Sequence, residues 1–204
     1  MIYAFICTKP SRRCPGKNDM LLPYTVAWLG YASMWLAERV QIVHVGPQCP
    51  AGFPPILRHI PIDEADHHKK LAYAMELAEV GDNDICVLPQ LTQPIRRPRL
   101  LAVVVDAVRR TGRTTITATV SPAQRWRHLR PDGTWTPPTA EGVDTLLDGV
   151  LYAWQGLDGL ADVFNPAAPH TVISYPAPYI IDIDHPEDIP PALPSMWAET
   201  LLKS

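Results

Sequence analysis

The sequence predicts an α/β protein, a three-layer α/β/α sandwich built on a mostly parallel central sheet with a small hairpin excursion. Short apolar runs without polar alternation recur along the chain, as strands buried on both faces of a parallel sheet require. They alternate with longer segments of helical periodicity, the order expected of consecutive βαβ units. The breaks between them fall on clusters of Pro, Gly, Asp and Asn.

The elements follow in order. "IYAFIC" (2–7) is a continuous apolar run that stops at "KPSRRCPGKN" (9–18), a loop dense in cations and turn formers. A helix is expected over 23–38, with Pro23 in its first turn and apolar residues at helical spacing behind it. "VQIVHV" (40–45) reads as the next strand, 63–79 as a polar and then helical stretch, and "DICVLP" (84–89) as a third strand. A helix at about 98–111 and a strand "TTITATV" (114–120) complete the regular part. Between 121 and 148 the alternation fails: "PDGTW" predicts a tight turn between two short strands, and the segment reads as an excursion suited to an interface or an acceptor site. "GVLYAW" (149–154) and "HTVISYP" (170–176) are strands again, and 179–190 runs from a strand into a short last helix.

A chain of 204 residues fits one domain with a full core. Its 18 Lys and Arg against 21 Asp and Glu leave a net charge of −3, so no global field draws it to nucleic acid or to an anionic membrane. Any anion must be held locally. Cys7, Cys14, Cys49 and Cys86 form no CxxC pair, which reads as reduced thiols in a cytoplasmic protein, with Cys7 and Cys86 in strands. No apolar stretch approaches the roughly 18 residues that a membrane span needs, and no secretory pattern opens the chain.

Three segments carry chemistry. The loop 9–18 lies after the first strand and before the first helix, where α/β proteins cradle phosphates. It matches neither G-x-x-x-x-G-K-[ST] nor G-x-G-x-x-G, so its donors would be Ser11, the cations Lys9, Arg12, Arg13 and Lys17, and backbone N–H groups opened by Gly16. Charged loops are ordinarily just solvated. The position after strand one favours an anion site here.

In "IDIDHPED", strand alternation puts Asp182 and Asp184 on one face and Ile181 and Ile183 on the other. Two neighbouring carboxylates repel unless a cation lies between them, and magnesium suits one or two carboxylates plus phosphates. Glu187 and Asp188 read instead as residues favouring the start of the following helix. "LPQLTQPIR" (88–96) offers Gln90 as amide donor and acceptor, Thr92 as hydroxyl and Arg96 as a bidentate partner for an anion. The adjacent His67 and His68 diverge by about 100° on a helix and make a poor chelating pair. Trp28 and Trp35 are expected in the core or at an interface.

Taken in order, these segments resemble the CMP-sialic acid synthetase family, within the nucleotide-diphospho-sugar transferase fold. "SRRCPGKN" is similar to that family's S-x-x-x-P-x-K-N loop, and "VLPQLTQPIR" to its L-L-Q-P-T-S-P-L-R segment. "DGVLYAW" (148–154) is similar to N-G-A-I-Y, and "IDIDHPED" to I-D-I-D-T-P-E-D. The resemblance implies a nucleotide site at Thr8, Lys9, Ser11, Arg12, Lys17 and Asn18, with Arg12 and Lys17 as the cations that serve catalysis. It implies that Gln90, Thr92 and Arg96 meet the substrate and that Asp182 and Asp184 hold Mg2+. The implied reaction transfers CMP from CTP to an acidic sugar with release of pyrophosphate, in a protein that forms a homodimer. The sequence departs from the pattern at Thr8, where the family has Arg, at Lys9 and Pro10, where it has two Gly, and in 136–148, where its R-R-Q element has no counterpart. These departures leave two alternatives, a nucleotide-binding protein of the same fold without turnover and a structural subunit that binds neither metal nor nucleotide.

Overall fold

The computed structural model describes residues 1–9, 15–49, 57–120, 128–129, 135–136, 145–146, 150–165, 167–174 and 183–202. Strands β1 (Ile2–Cys7), β2 (Val40–Gly46), β4 (Ile85–Pro89), β5 (Thr115–Val120), β9 (Leu151–Gln155) and β10 (Thr171–Ser174) match the expected runs to within two residues at each end. Strand β3 (Arg58–Pro61) was not expected, because four residues containing Arg, His and Pro carry no strand-like apolar pattern. The sheet runs in the order β10-β5-β9-β4-β1-β2-β3, with β8 (Thr145–Leu146) paired to β5. The pairs β1–β2, β1–β4, β2–β3 and β5–β10 are parallel. Strand β9 runs antiparallel between β4 and β5, so the sheet is mixed although mostly parallel, as expected. In the excursion, β6 (His128–Leu129) and β7 (Trp135–Thr136) pair antiparallel on either side of the predicted turn.

Strict alternation along the central strands builds the three layers. Ile2, Ala4 and Ile6 of β1, Ile85 and Val87 of β4, and Leu151 and Ala153 of β9 face one side. There they meet Trp28 and Leu29 of α1 (Lys17–Ser33) and Leu101, Val104 and Val108 of α3 (Arg99–Thr111). Tyr3, Phe5, Cys86, Leu88 and Trp154 face the other side and pack on Leu71, Ala74 and Met75 of α2 (His67–Leu77) and on Leu160 and Val163 of α4 (Leu160–Val163). A third cluster, Leu21, Ile95, Ile183 and Leu193, ties α1 to the loop after β4 and to α5 (Leu193–Leu202). No described helix is long and apolar enough to cross a membrane.

Two helix starts differ from expectation, each for a local reason. Helix α1 begins at Lys17 and ends at Ser33, so Pro23 lies inside it rather than in its first turn. Its first residue follows Gly16, which adopts φ 75° with open space around a would-be Cβ; conformation rather than crowding selects glycine there. Helix α2 begins four residues later than the polar stretch suggested because the Asp66 carboxylate caps it, accepting from the His68 and Lys69 N–H groups at 2.9 and 3.1 Å. Helix α3 closes on Gly112 at φ 64°, with Arg109 and Arg110 complementing its C-terminal dipole.

The strand order places a switch point between β1 and β4. From β1 the chain proceeds outward to β2 and β3, whereas β4 lies on its other side. The carboxyl ends of the paired strands β1 and β4 lie side by side there, and a ligand crevice is expected beside them.

Candidate active site

Of the predicted site residues, Ser11, Arg12, Asp182 and also Arg13 lie outside the described residues. Thr8, Lys9, Lys17, Asn18, Gln90, Thr92, Arg96 and Asp184 are described, and the three predicted segments converge at the switch point. Lys17 Nζ donates to the Ile183 carbonyl at 3.1 Å and to Asp184 Oδ1 at 3.3 Å, joining residues 166 and 167 positions apart. The Ile183 N–H in turn donates to the Thr92 carbonyl at 2.8 Å. Ile183 is fully buried among Leu21, Ile95 and Leu193, in keeping with its predicted inward face. Asp184, its neighbour, points outward and is half exposed.

An ion pair as open as Lys17–Asp184 contributes only about 0–1 kcal/mol to stability. Its consequence is positional: a lysine that is itself mostly enclosed holds an open carboxylate against the start of α1. Asp188 secures the same segment from the other side. Its Oδ2 accepts from the Asp184 N–H at 3.0 Å and the His185 N–H at 2.7 Å, closing the 3₁₀ turn Pro186–Asp188. Asp188 thus caps the start of this turn, as expected of a residue favouring a helix start, and its carboxylate also reaches back to the segment bearing Asp184.

On the β4 side, the Gln90 N–H donates to the Val150 carbonyl at 3.2 Å, which fixes the start of the loop against the entry to β9. Arg96 is placed differently from what the sequence implied. It is buried to 1 % exposure, its guanidinium donates to the Gln90 carbonyl and to Thr25 Oγ1, and it lies over the Trp28 ring at 5.1 Å. A guanidinium so enclosed braces the 90–96 loop from below. Gln90 and Thr92 are partly exposed at the top of that brace. Trp28 is fully buried and donates through Nε1 to the Arg97 carbonyl at 3.2 Å. Trp35 falls just beyond α1, half exposed, with Arg99 over its ring at 4.3 Å.

Sequence reading missed a polar cluster below the end of β1. Thr8 Oγ1 and His44 Nε2 are 2.9 Å apart, and His44 Nδ1 lies 2.9 Å from His59 Nδ1, so one of those two ring nitrogens donates to the other. Lys70 Nζ donates to the Thr8 carbonyl at 3.2 Å, and Asn18 Nδ2 donates to the Lys9 carbonyl at 2.7 Å. Gly46 is needed beside this cluster, because a Cβ there would stand 2.2 Å from Thr8 Oγ1. The signals were a histidine inside an apolar strand and a lysine in register with the buried Leu71 and Ala74 of α2. His67 turns out half-buried near Lys9 and Lys70, and burial together with those cations holds its pKa down; His68 is exposed.

His44 titrates far from the usual histidine range. Burial first, then the neighbouring His59 and Lys70, push its pKa down to about 4 from 6.5. The folded state therefore binds a proton at His44 less readily than the unfolded chain. Stability from this residue is complete above pH 6.5 and is lost as the pH falls toward 4, by roughly 3 kcal/mol in all. Urea unfolding at pH 7.5 and pH 4.5 should show that loss in the parent protein and a distinctly smaller one in His44→Gln. Equal pH dependence in the two proteins would contradict this assignment.

Among the described residues no group of three or more His, Cys, Asp or Glu could hold a metal on its own. The available donor is the open carboxylate of Asp184, which fits a hard cation that takes few protein ligands and completes its shell with water and phosphate.

No protein-family profile matches the chain, and no curated protein matches its sequence. Solved structures do. The CMP:2-keto-3-deoxy-manno-octonic acid synthetase complexed with CTP aligns over 100% of this chain and 99% of its own, with a TM-score of 0.64 and 15% identity. The chain shares the fold of that synthetase. The 4-diphosphocytidyl-2C-methyl-D-erythritol synthase from Anaerococcus prevotii DSM 20548 aligns over 92% of this chain and 94% of its own, with a TM-score of 0.58 and 13% identity. Both alignments span nearly whole chains, so the likeness covers the switch point together with the sheet that carries it.

Proposed function

We propose that the protein is a magnesium-dependent cytidylyltransferase that joins CMP from CTP to a sugar acceptor, an acidic sugar such as a sialic acid by the resemblance of its motifs, and releases pyrophosphate. The observation that carries this reading is Lys17, which at the switch point of a cytidylyltransferase fold joins the cationic loop to the segment bearing Asp184. In the reaction an acceptor oxygen attacks the α-phosphorus of CTP, a new P–O bond forms, and the bond to the bridging oxygen of pyrophosphate breaks. The proton of the acceptor passes to solvent.

The chain's own contribution is electrostatic and positional. Lys17, with Lys9 and Arg12 in the same loop, would neutralise charge building on the departing phosphates. Asn18 holds the Lys9 carbonyl, and with it the mouth of that loop, to the first turn of α1. Gln90 and Thr92, on the loop braced by Arg96, would face the nucleoside or the acceptor. Magnesium, held by Asp184 and by Asp182, would polarise the phosphate oxygens and neutralise the leaving group. The family's homodimer is part of the proposal, with the 121–148 excursion as its interface.

One observation favours the second reading, a nucleotide-binding protein without turnover. Thr8 stands where the family has Arg, and its side chain is buried and directed at His44. It offers a phosphate no guanidinium. Thermal-shift measurements against CTP, UTP, GTP and ATP, each with and without magnesium, test the proposal. The expected result is a stabilisation specific to CTP that requires magnesium and disappears in Asp184→Ala. A flat profile with all four nucleotides would contradict both readings and favour a structural role.

A further inference from the structure

We propose that Lys70 is a positioning residue of the phosphate site, a buried cation that fixes the start of the strand-one loop and adds positive charge beneath it. This rests on the nucleotide site proposed above and goes beyond the residues that the motif resemblance supplies, since Lys70 lies in α2, outside all four motif segments.

Lys70 is 2 % exposed, and lysine is almost never enclosed unless its charge is paired. Among the described residues no carboxylate pairs with it. Its ammonium donates to the Thr8 carbonyl, the last position before Lys9 and the loop. Among the described residues its charge acts on His44 and His67, both with their pKa lowered in part by it, and on the Cys7 thiol, which burial pushes up to about 12 against the opposing pull of Lys70. The carboxylate of Asp66, one helical turn before Lys70, is engaged by the His68 and Lys69 N–H groups. An ammonium with three donors that has, among the described residues, one acceptor and no counter-charge is a local source of positive potential.

That potential acts on a short piece of chain that is held from several sides. The Thr8 N–H donates to the Val45 carbonyl at 2.8 Å, its side chain meets His44, its carbonyl meets Lys70, and the next carbonyl meets Asn18. Three side chains from β2, α2 and α1 therefore converge on two consecutive residues. Such convergence is what a loop needs if its cations are to meet a triphosphate without reorganising, and preorganisation is where binding and rate are gained. Where the family pattern has a guanidinium at the end of strand one, this chain has Thr8 backed by a buried ammonium.

The test uses Lys70→Met and Lys70→Gln in the full chain, with amide hydrogen exchange of the nucleotide-free protein and calorimetric binding of CTP with magnesium. Lys70→Met is expected to lower protection of the Thr8 amide at least ten-fold, to leave protection in α3 and β4 unchanged, and to raise the CTP dissociation constant at least ten-fold. Lys70→Gln keeps a donor for the Thr8 carbonyl without the charge. It should hold Thr8 protection within about three-fold of the parent while CTP still binds at least five-fold more weakly, a split that a purely structural role would not produce. Unchanged CTP affinity in either folded variant overturns the proposal, as does Thr8 protection unchanged in Lys70→Met. If the parent protein itself binds no CTP, the nucleotide reading fails and the charge part of this inference falls with it, while Thr8 protection still reports whether Lys70 positions residues 8 and 9.

Discussion

Lys17→Ala is expected to lower kcat/KM for pyrophosphate release from CTP about 10²–10³-fold, the range found when a single preorganised donor to developing charge is removed. The expectation follows from where the ammonium is held. Lys17 opens α1, directly after the left-handed Gly16, and its stem is largely enclosed while its tip reaches Ile183 and Asp184. A residue so placed has lost most of its conformational freedom before any substrate arrives, so little ordering is left for the transition state to impose. Lys17→Arg is not a conservative control at this position, because a planar fork cannot reproduce both contacts of a compact ammonium. Lys17→Met preserves most of the aliphatic stem and removes the ammonium, its charge and its donors together. It should lose nearly as much activity as Lys17→Ala while unfolding in urea close to the parent. A Lys17→Met protein that retains more than a tenth of parental activity would remove Lys17 from the chemistry.

Trp28→Ala is the second large expectation, here on stability, at about 3–5 kcal/mol. Trp28 is fully buried between α1 and the sheet, among Ile2, Ala4, Leu101 and Val104. Deleting the indole leaves a cavity that rigid strands and two packed helices cannot close. The ring also carries the Arg96 guanidinium on its face and donates to the Arg97 carbonyl, so its loss withdraws support from the loop that presents Gln90 and Thr92. Urea unfolding should show the full loss in midpoint without a change in slope. At temperatures where the variant is still folded, its apparent KM for the acceptor should rise. A loss below about 1 kcal/mol would mean that the core described around α1 is not packed as the burial indicates.

Much of the architecture was legible because its causes are local. The strands β1, β2 and β4 announce themselves as unbroken apolar runs, and alternation within them assigns each side chain to one face of the sheet, as Ile2 and Tyr3 illustrate. Ile183 was legible as an apolar residue between two carboxylates and is fully buried, while residues 179–182 of the strand expected before it lie outside the described residues. The start of α1 was not, because Pro23 looks like a helix opener and the true signal, Gly16 before Lys17, is hidden in a loop of charges. The antiparallel direction of β9 leaves no mark in its own five residues. Arg96 misled because a guanidinium beside a predicted ligand loop reads as an anion partner, whereas its environment is set by Trp28 and Thr25, more than seventy positions away in the case of Thr25. The Thr8–His44–Lys70 cluster was invisible for a related reason: β1, β2 and α2 must first be assembled in the observed order before their polar groups meet.

Pyrophosphate release is the measurement closest to the central claim. The protein, CTP and magnesium are combined with a panel of acidic sugars, and inorganic pyrophosphate is followed in a coupled assay, with Asp184→Ala as the control. Acceptor-dependent release with CTP is expected to exceed release with UTP, GTP or ATP and to be lost in the control. Release that is absent with every acceptor, or undiminished in Asp184→Ala, would contradict it.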